Sequence, residues 1–233
     1  MKKAIVSAAG PNFSDIMACS EPTFQRYAEE HDYELIIEQL DKDSTDFFHE
    51  DARNARMGKL ALIKTALEDN DFVVWMDADT MFTNFDKDIA QDVKKEWFQA
   101  FVWEQSERRY RVGINPNTGV WPIRQEEESF AFIESAQGVG QLEDIKGTDQ
   151  EAVCTSLGLR IEKTEDSYTI RPAVPSPFLN RTGVLPYEWN QLGLAKRWPA
   201  RVLHFAGMKN EKRLPLMRQT LEELEKQGKL TLS

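Results

Sequence analysis

The sequence predicts an α/β fold with a Rossmann-like, mainly parallel sheet flanked by helices. Two observations predict it. The first hundred residues alternate apolar runs with helical patterns, and residues 72–76 are five consecutive apolar residues, typical of a strand buried on both faces. Such β-α-β order implies parallel strands joined by right-handed crossovers. Ligands bind at the carboxyl ends of such strands, so the residues directly after Met76 are the first candidates for a site.

The individual elements follow from local patterns. In the helix predicted over 56–68, Leu60, Ile63 and Leu67 lie on one face, and Ser20 with Pro22 indicates a helix start. In chain order we predict a strand over 3–9, a helix from Ser20, a strand over 33–38, a helix over 56–68, strands over 72–76, 100–104 and 118–123, helices over 126–135 and 149–157, a strand over 201–205 and a closing helix over 214–226. Four prolines predict an irregular segment over 172–190.

Composition limits the classes of partner. The 233 residues are 41% hydrophobic, so the chain can form a packed core, and we expect one domain over 1–233. Acidic residues outnumber basic ones by 39 to 29. Because nucleic acids and anionic membranes are bound through clustered Lys and Arg, we expect no nucleic-acid partner.

Location is predicted from the cysteines and the N-terminus. Cys19 and Cys154 are too few for a disulfide framework, which favours a reducing compartment. The apolar run over 4–10 resembles a signal peptide, but Pro11 and Asn12 interrupt it. No other run approaches the ~20 apolar residues of a membrane helix. We therefore expect a cytoplasmic protein without a transmembrane segment.

Asp77 and Asp79 directly follow the buried strand. Two carboxylates one residue apart project to the same side of an extended segment, where their charges repel. A hard divalent cation such as Mn²⁺ or Mg²⁺ relieves this repulsion and is often shared with substrate phosphates. An ordinary acidic loop is the alternative interpretation.

A second candidate segment ends the last predicted strand. His204 is followed by Gly207, which allows close backbone approach to a ligand, and by Lys209, which can meet a phosphate. The spacing makes His204 a candidate third metal ligand, with a buried core imidazole as the alternative.

Five short blocks together resemble one enzyme family. They are Gly58-Lys59-Leu60, the DxD block over 75–83, the Asn-x-Gly block over 117–120, Asp149-Gln150-Glu151-Ala152, and the His-Phe-x-Gly-x-Lys block over 204–209. In this order they resemble the galactomannan galactosyltransferase and xyloglucan xylosyltransferase family, and more loosely the glycogenin-like galactosyltransferases. The blocks span about two thirds of the chain. The resemblance implies a GT-A fold, with a nucleotide-binding half over about 1–105 and an acceptor-side half, with a smaller sheet, over about 106–233.

The resemblance implies a metal-dependent glycosyltransferase that takes its sugar from a nucleotide-diphosphate donor, most often a UDP-sugar, and gives it to a hydroxyl of a glycan or glycoconjugate. Asp77, Asp79 and His204 would hold Mn²⁺ or Mg²⁺, with Asp77 also near the ribose. Gly207 and Lys209 would bind the diphosphate.

The remaining implied roles concern the sugar. Lys59 would reach the donor sugar or phosphates, with a solvated helix lysine as the alternative. Asn117 and Gly119 would line the acceptor side, and Asp149 with Gln150 would lie near the anomeric carbon. Asp149 could instead cap a helix. The resemblance favours retention of configuration, with Gln150 stabilising the sugar face. An inverting enzyme would need a base, for which Asp149 is the candidate.

The sequence also departs from that family. Its eukaryotic members usually carry an N-terminal membrane anchor, which we do not find, and their Cys-Pro after the last block is replaced by Asn210-Glu211. A bacterial enzyme, or a viral one in host cytoplasm, fits these departures better than a Golgi enzyme.

Two other functions compete. Asp77-Ala78-Asp79-Thr80 also matches the nucleophile loop of haloacid-dehalogenase-like phosphatases. That loop normally follows the first strand of its domain, whereas two predicted strands precede it here. The third hypothesis is a non-catalytic nucleotide-sugar-binding module.

Overall fold

A computed structural model describes residues 1–40, 52–105, 114–140, 149–163, 168–192 and 199–231. The helices are α1 (Ser14–His31), α2 (Ala52–Asp69), α3 (Glu127–Gly140), α4 (Asp149–Ser156) and α5 (Asn210–Lys226). The strands are β1 (Lys3–Ala9), β2 (Glu34–Gln39), β3 (Phe72–Met76), β4 (Thr80–Phe82), β5 (Gln99–Gln105), β6 (Ile114–Asn117), β7 (Val120–Arg124), β8 (Leu159–Lys163), β9 (Tyr168–Pro172), β10 (Thr182–Val184), β11 (Gln191–Leu192) and β12 (Val202–His204).

The central sheet has the strand order β10-β5-β7-β3-β1-β2, with β6 paired to β5. β1 lies parallel to both β2 and β3, and β10 lies parallel to β5. β7 runs antiparallel to β3 and β5, between which it lies. Five of the sheet's seven strands (β1, β2, β3, β5 and β10) therefore run in the same direction. This confirms the prediction of an α/β fold with a mainly parallel sheet.

Strand β3 lies at the centre of this sheet, and all five of its residues are buried. Phe72, Val74 and Met76 join the core under α1 and α5. Val73 and Trp75 join the core formed with α2, α3 and α4. Because helices cover both faces, the strand alternates between two cores and its sequence is apolar throughout.

A smaller sheet of order β11-β12-β4 lies beside the central one. β4 follows β3 after a three-residue turn, and β12 pairs with it in antiparallel register, with His204 opposite Thr80. A separate hairpin joins β8 and β9. The expected second, smaller sheet is present, but one of its strands, β4, comes from the first half of the chain.

Three helices begin earlier than predicted. α1 starts at Ser14, α2 at Ala52 and α5 at Asn210. The sequence predicts Ser20 as a helix N-cap, but in the structure its hydroxyl is buried and donates to the Ala78 carbonyl oxygen at 2.6 Å. Ser20 therefore lies within α1 and connects this helix to the loop after β3.

Several short strands were not predicted from the sequence. β4, β6, β8, β9 and β11 were not expected, and β10 and two 3₁₀ turns lie within the segment predicted to be irregular. Strands of two to five residues carry too little periodicity to identify, and the partner of β4, strand β12, lies more than a hundred residues away in the sequence. Within the described residues, none of the helices has the length and apolar character needed to cross a membrane.

Candidate active site

The acidic pair lies in the turn between β3 and β4, whose backbone is held from several sides. Ser7 Oγ donates to the Met76 carbonyl at 2.7 Å, and Ser20 Oγ donates to that of Ala78. The backbone N–H and the hydroxyl of Thr80 both donate to the Asp77 carbonyl. The two carboxylates therefore project from a fixed backbone.

Strand β12 brings His204 to this turn. Besides the strand pairing, the Phe205 N–H donates to the Asp79 carbonyl at 2.9 Å. His204 Nε2 then lies 3.3 Å from Asp79 Oδ1 and 3.9 Å from Asp77 Oδ2. One ligand atom from each of the three residues lies within 4.8 Å of the others.

The donor set fits a divalent cation. Asp77 Oδ1 accepts hydrogen bonds from Trp75 Nε1 at 2.6 Å and Lys59 Nζ at 3.0 Å, while Oδ2 faces His204. Asp79 Oδ2 lies 3.3 Å from the Arg213 guanidinium, while Oδ1 faces His204. Each carboxylate thus has one oxygen held from outside and the other directed to a common centre, and carboxylate oxygens with an imidazole nitrogen suit Mn²⁺ or Mg²⁺.

Asp79 is ionised in this setting. Burial alone would raise the pKa of its carboxyl group, but the hydrogen bond and charge of His204 and the charge of Arg213 lower the pKa below its ordinary value. The ionised form is the one that binds a cation.

His204 is buried and supported from behind. Its Nδ1 lies 2.9 Å from Asn190 Oδ1, and Asn190 Nδ2 donates to Asn117 Oδ1 at 2.8 Å. The ring also fills the space beside Gly119, where an added Cβ would lie 2.2 Å from His204 Cε1. Any side chain at position 119 would therefore overlap the His204 ring, so this position requires glycine.

Lys59 and Asp149 form a buried ion pair on the other side of Asp77. Lys59 Nζ lies 2.6 Å from Asp149 Oδ2, which also accepts from Thr118 Oγ1 at 2.7 Å. Burial would lower the pKa of Lys59, but the charges of Asp149 and Asp77 raise it above the ordinary value. With 6% of its side chain exposed, Lys59 is not the solvated helix lysine of the alternative interpretation.

These groups share one cavity of about 500 Å³. The predicted site residues that line it are Lys59, Asp77, Asp79, Asn117, Asp149, Gln150, His204 and Gly207. Gly119 lies behind the His204 ring instead. Lys209 is exposed and is not part of the lining. Gly207 has a φ of +71°, a conformation that favours glycine.

The sequence did not single out four residues that shape the site. Trp75 and Thr118 lie inside blocks of the resemblance, but neither was assigned a role. Arg213 looked like one of many charged residues on α5, but it is buried and lines the cavity. Asn190 fell in the segment predicted to be irregular. No local signal identifies Arg213 or Asn190, because their contacts come from tertiary structure.

The chain matches no protein-family model and no curated protein sequence. Solved structures share its fold. A glycosyltransferase involved in glycosylation of the major capsid of PBCV-1 superposes with a TM-score of 0.69 and 14% identity, over 94% of this chain and 100% of that chain. The bifunctional glycosyltransferase WbbM gives 0.63 and 13%, over 98% of this chain and 52% of its own. The galactosyltransferase LgtC, solved with donor and acceptor sugar analogues, gives 0.50 and 14%, over 97% of this chain and 100% of its own.

These likenesses define the fold class. The central sheet, the smaller sheet and the acidic turn between them form the GT-A fold of glycosyltransferases. The narrower resemblance to the galactomannan and xyloglucan enzymes stays a prediction, since identities of this size show the fold alone.

We expect Gly119→Ala to destabilise the protein by about 1–3 kcal/mol, because the new methyl group overlaps the His204 ring in a packed interior. Gly138→Ala in α3 is the matched control, since a Cβ there meets nothing within 4 Å. Urea unfolding measures both. Equal stability of the two variants would show that the ring does not depend on this space.

We expect Lys59→Met to cost about 3–5 kcal/mol, because it leaves the buried Asp149 carboxylate without its cation. The control is Lys64→Met on the same helix, whose ion pair with Glu134 is exposed and should contribute about 0–1 kcal/mol. Urea unfolding at neutral pH compares them. A Lys59→Met loss no larger than that of Lys64→Met would contradict the buried-pair assignment.

Proposed function

We propose that this protein is a metal-dependent glycosyltransferase that transfers a sugar from a nucleotide-diphosphate donor to a hydroxyl of a glycan or glycoconjugate. One observation carries the proposal: the ligand atoms of Asp77, Asp79 and His204 converge within 4.8 Å at the wall of a cavity that also contains Lys59 and Asp149. The fold shared with known glycosyltransferases supports it.

The cation, Mn²⁺ or Mg²⁺, would supply positive charge to the departing diphosphate. The chain's own residues prepare its site. Trp75 and Lys59 orient the Asp77 carboxylate, and Arg213 orients that of Asp79. These groups are set before any ligand arrives, so little reorganisation is needed when charge develops on the leaving group.

Arg213 is the side chain we assign to the diphosphate, together with the turn at Gly207. Its guanidinium is buried at the cavity wall, and Arg213 Nε has no hydrogen-bond partner among the described residues. Arginine binds phosphate oxygens through paired N–H donors. Lys209, which the resemblance assigned to this role, is exposed outside the cavity lining and would have to turn inward to take part.

The surroundings of Asp149, which is expected near the anomeric carbon of the donor sugar, favour retention of configuration over inversion. Burial alone would raise the pKa of Asp149, but the charge and hydrogen bond of Lys59, with the hydrogen bond from the Thr118 hydroxyl, lower the pKa below its ordinary value. A carboxylate with a lowered pKa is a poor general base at neutral pH. We therefore propose that Asp149 binds sugar hydroxyls, that Gln150 stabilises the exposed face of the transferring sugar, and that neither removes the acceptor's proton.

The phosphatase alternative lacks comparable support. The fold likeness is to glycosyltransferases.

We expect Mn²⁺ with one class of nucleotide-sugar, screened as UDP- and GDP-sugars, to raise the melting temperature and to be turned over slowly to the nucleoside diphosphate. Asp79→Asn should abolish both effects, while Asp69→Asn, an exposed carboxylate at the end of α2, should retain them. Thermal shift and product chromatography measure the outcome. If the nucleotide-sugar binds but is not turned over with any acceptor tested, a binding module is favoured. Hydrolysis of an aryl phosphate without nucleotide-sugar binding would favour a phosphatase.

We expect Arg213→Gln to weaken Mn²⁺-dependent binding of UDP by about 10–100-fold, the effect of losing charge-assisted hydrogen bonds. Uridine binding should change little, because uridine lacks the diphosphate. Lys212→Gln, an exposed neighbour on α5, is the control, and calorimetry is the measurement. A larger loss in Lys209→Gln than in Arg213→Gln would return the diphosphate role to Lys209.

A further inference from the structure

A relay of buried hydrogen bonds, through Asn117 and Asn190, runs from the backbone of Gly119 to the imidazole of His204. The Gly119 N–H donates to Asn117 Oδ1 at 2.8 Å, and Asn190 Nδ2 donates to the same oxygen at 2.8 Å. Asn190 Oδ1 in turn lies 2.9 Å from His204 Nδ1. All three side chains are buried, and Asn190 is 0% exposed.

The direction of every bond in this relay follows from its first member. A backbone N–H can only donate, so the Asn117 atom that faces Gly119 must be the amide oxygen. The Asn190 atom that contacts this oxygen must then be the amide nitrogen, which directs the oxygen of Asn190 at His204. An amide oxygen can only accept, so His204 Nδ1 must carry a hydrogen.

This polarity determines what faces the acidic pair. With one hydrogen held on Nδ1, Nε2 of the neutral imidazole carries a lone pair. Only the protonated, metal-free ring can also donate from Nε2 to Asp79, which is the hydrogen bond that lowers the pKa of that carboxyl group. Nε2 lies 3.3 Å from Asp79 Oδ1 and 3.9 Å from Asp77 Oδ2. In the opposite tautomer, Nε2–H would donate directly to the Asp79 carboxylate and occupy the centre between the three residues.

We infer that Asn117 and Asn190 are positioning residues that hold His204 in the Nδ1–H tautomer and so keep Nε2 available to a cation. Reversing either amide would bring two donors or two acceptors together in a buried space, where unpaired polar groups are costly. Partners of this kind orient metal-binding histidines in proteins generally. The tautomer stands on the hydrogen bonds alone, and only its consequence for the cation rests on the proposed function.

The same contacts change the meaning of the Asn-x-Gly block. The resemblance placed Asn117 and Gly119 on the acceptor side of the site. Here Gly119 contributes its N–H to the relay and leaves room for the histidine ring. Asn117 lines the cavity and also connects Gly119 to Asn190.

The direct test is nuclear magnetic resonance of the full chain labelled with ¹⁵N-histidine. The sequence has three histidines, and His204→Gln identifies the signals of His204. Because Asn190 Oδ1 can only accept, we expect the ¹⁵N signal of His204 Nδ1 to be that of a nitrogen that carries a hydrogen. A His204 Nδ1 without a hydrogen would overturn the inference.

Variants test the consequence for metal binding. We expect Asn190→Ala to move the His204 hydrogen to Nε2 and to weaken Mn²⁺ binding by about 10–100-fold, measured by electron paramagnetic resonance of free Mn²⁺. Asn70→Ala removes another buried asparagine, which bonds the Ala66 carbonyl at the end of α2. It controls for the loss of a buried amide and should keep both the tautomer and the Mn²⁺ affinity.

The outcomes separate the relay from the proposed function. An Nδ1–H tautomer in a wild-type protein that binds no Mn²⁺ supports the relay and contradicts the metal-dependent function. Mn²⁺ binding by a wild-type protein with an Nε2–H tautomer contradicts the relay alone. If Asn190→Ala does not fold, the wild-type spectrum still decides the tautomer.

Discussion

The antiparallel pairing of β4 with β12 is the interaction on which the candidate site depends. It places His204 opposite Thr80, and the Phe205 N–H continues the pairing onto the Asp79 carbonyl. These few backbone hydrogen bonds join two segments separated by more than a hundred residues. Side chains that are distant in sequence thereby reach one centre.

Around that centre, opposite charges are interleaved in a largely buried space. Lys59 lies between Asp77 and Asp149, and Arg213 lies against Asp79. Buried charges are costly to hold unless each has a partner, so a site of this kind is expected to contribute little to stability overall. What it provides is orientation: in Asp77 and Asp79, the carboxylate oxygen that faces the common centre is oriented by contacts to the other oxygen of the same carboxylate.

The sequence predicted the elements whose environment is uniform along their length. β3 was predicted with its observed bounds because both of its faces are buried, which leaves an uninterrupted apolar run. The acidic pair was found because it directly follows that run. β4 was missed because three residues carry no period, and its strand conformation comes from β12. Asn190 and Arg213 were missed because their burial depends on which elements pack against them.

The proposed function depends most directly on Asp77, Asp79 and His204 binding one shared cation. Anomalous diffraction at the manganese edge, from crystals soaked with MnCl₂ and UDP, tests it without reference to activity. We predict a single strong peak within about 2.5 Å of a carboxylate oxygen of each aspartate and of His204 Nε2. A manganese peak elsewhere in the cavity, with His204 Nε2 bonded to Asp79 instead, would contradict the account.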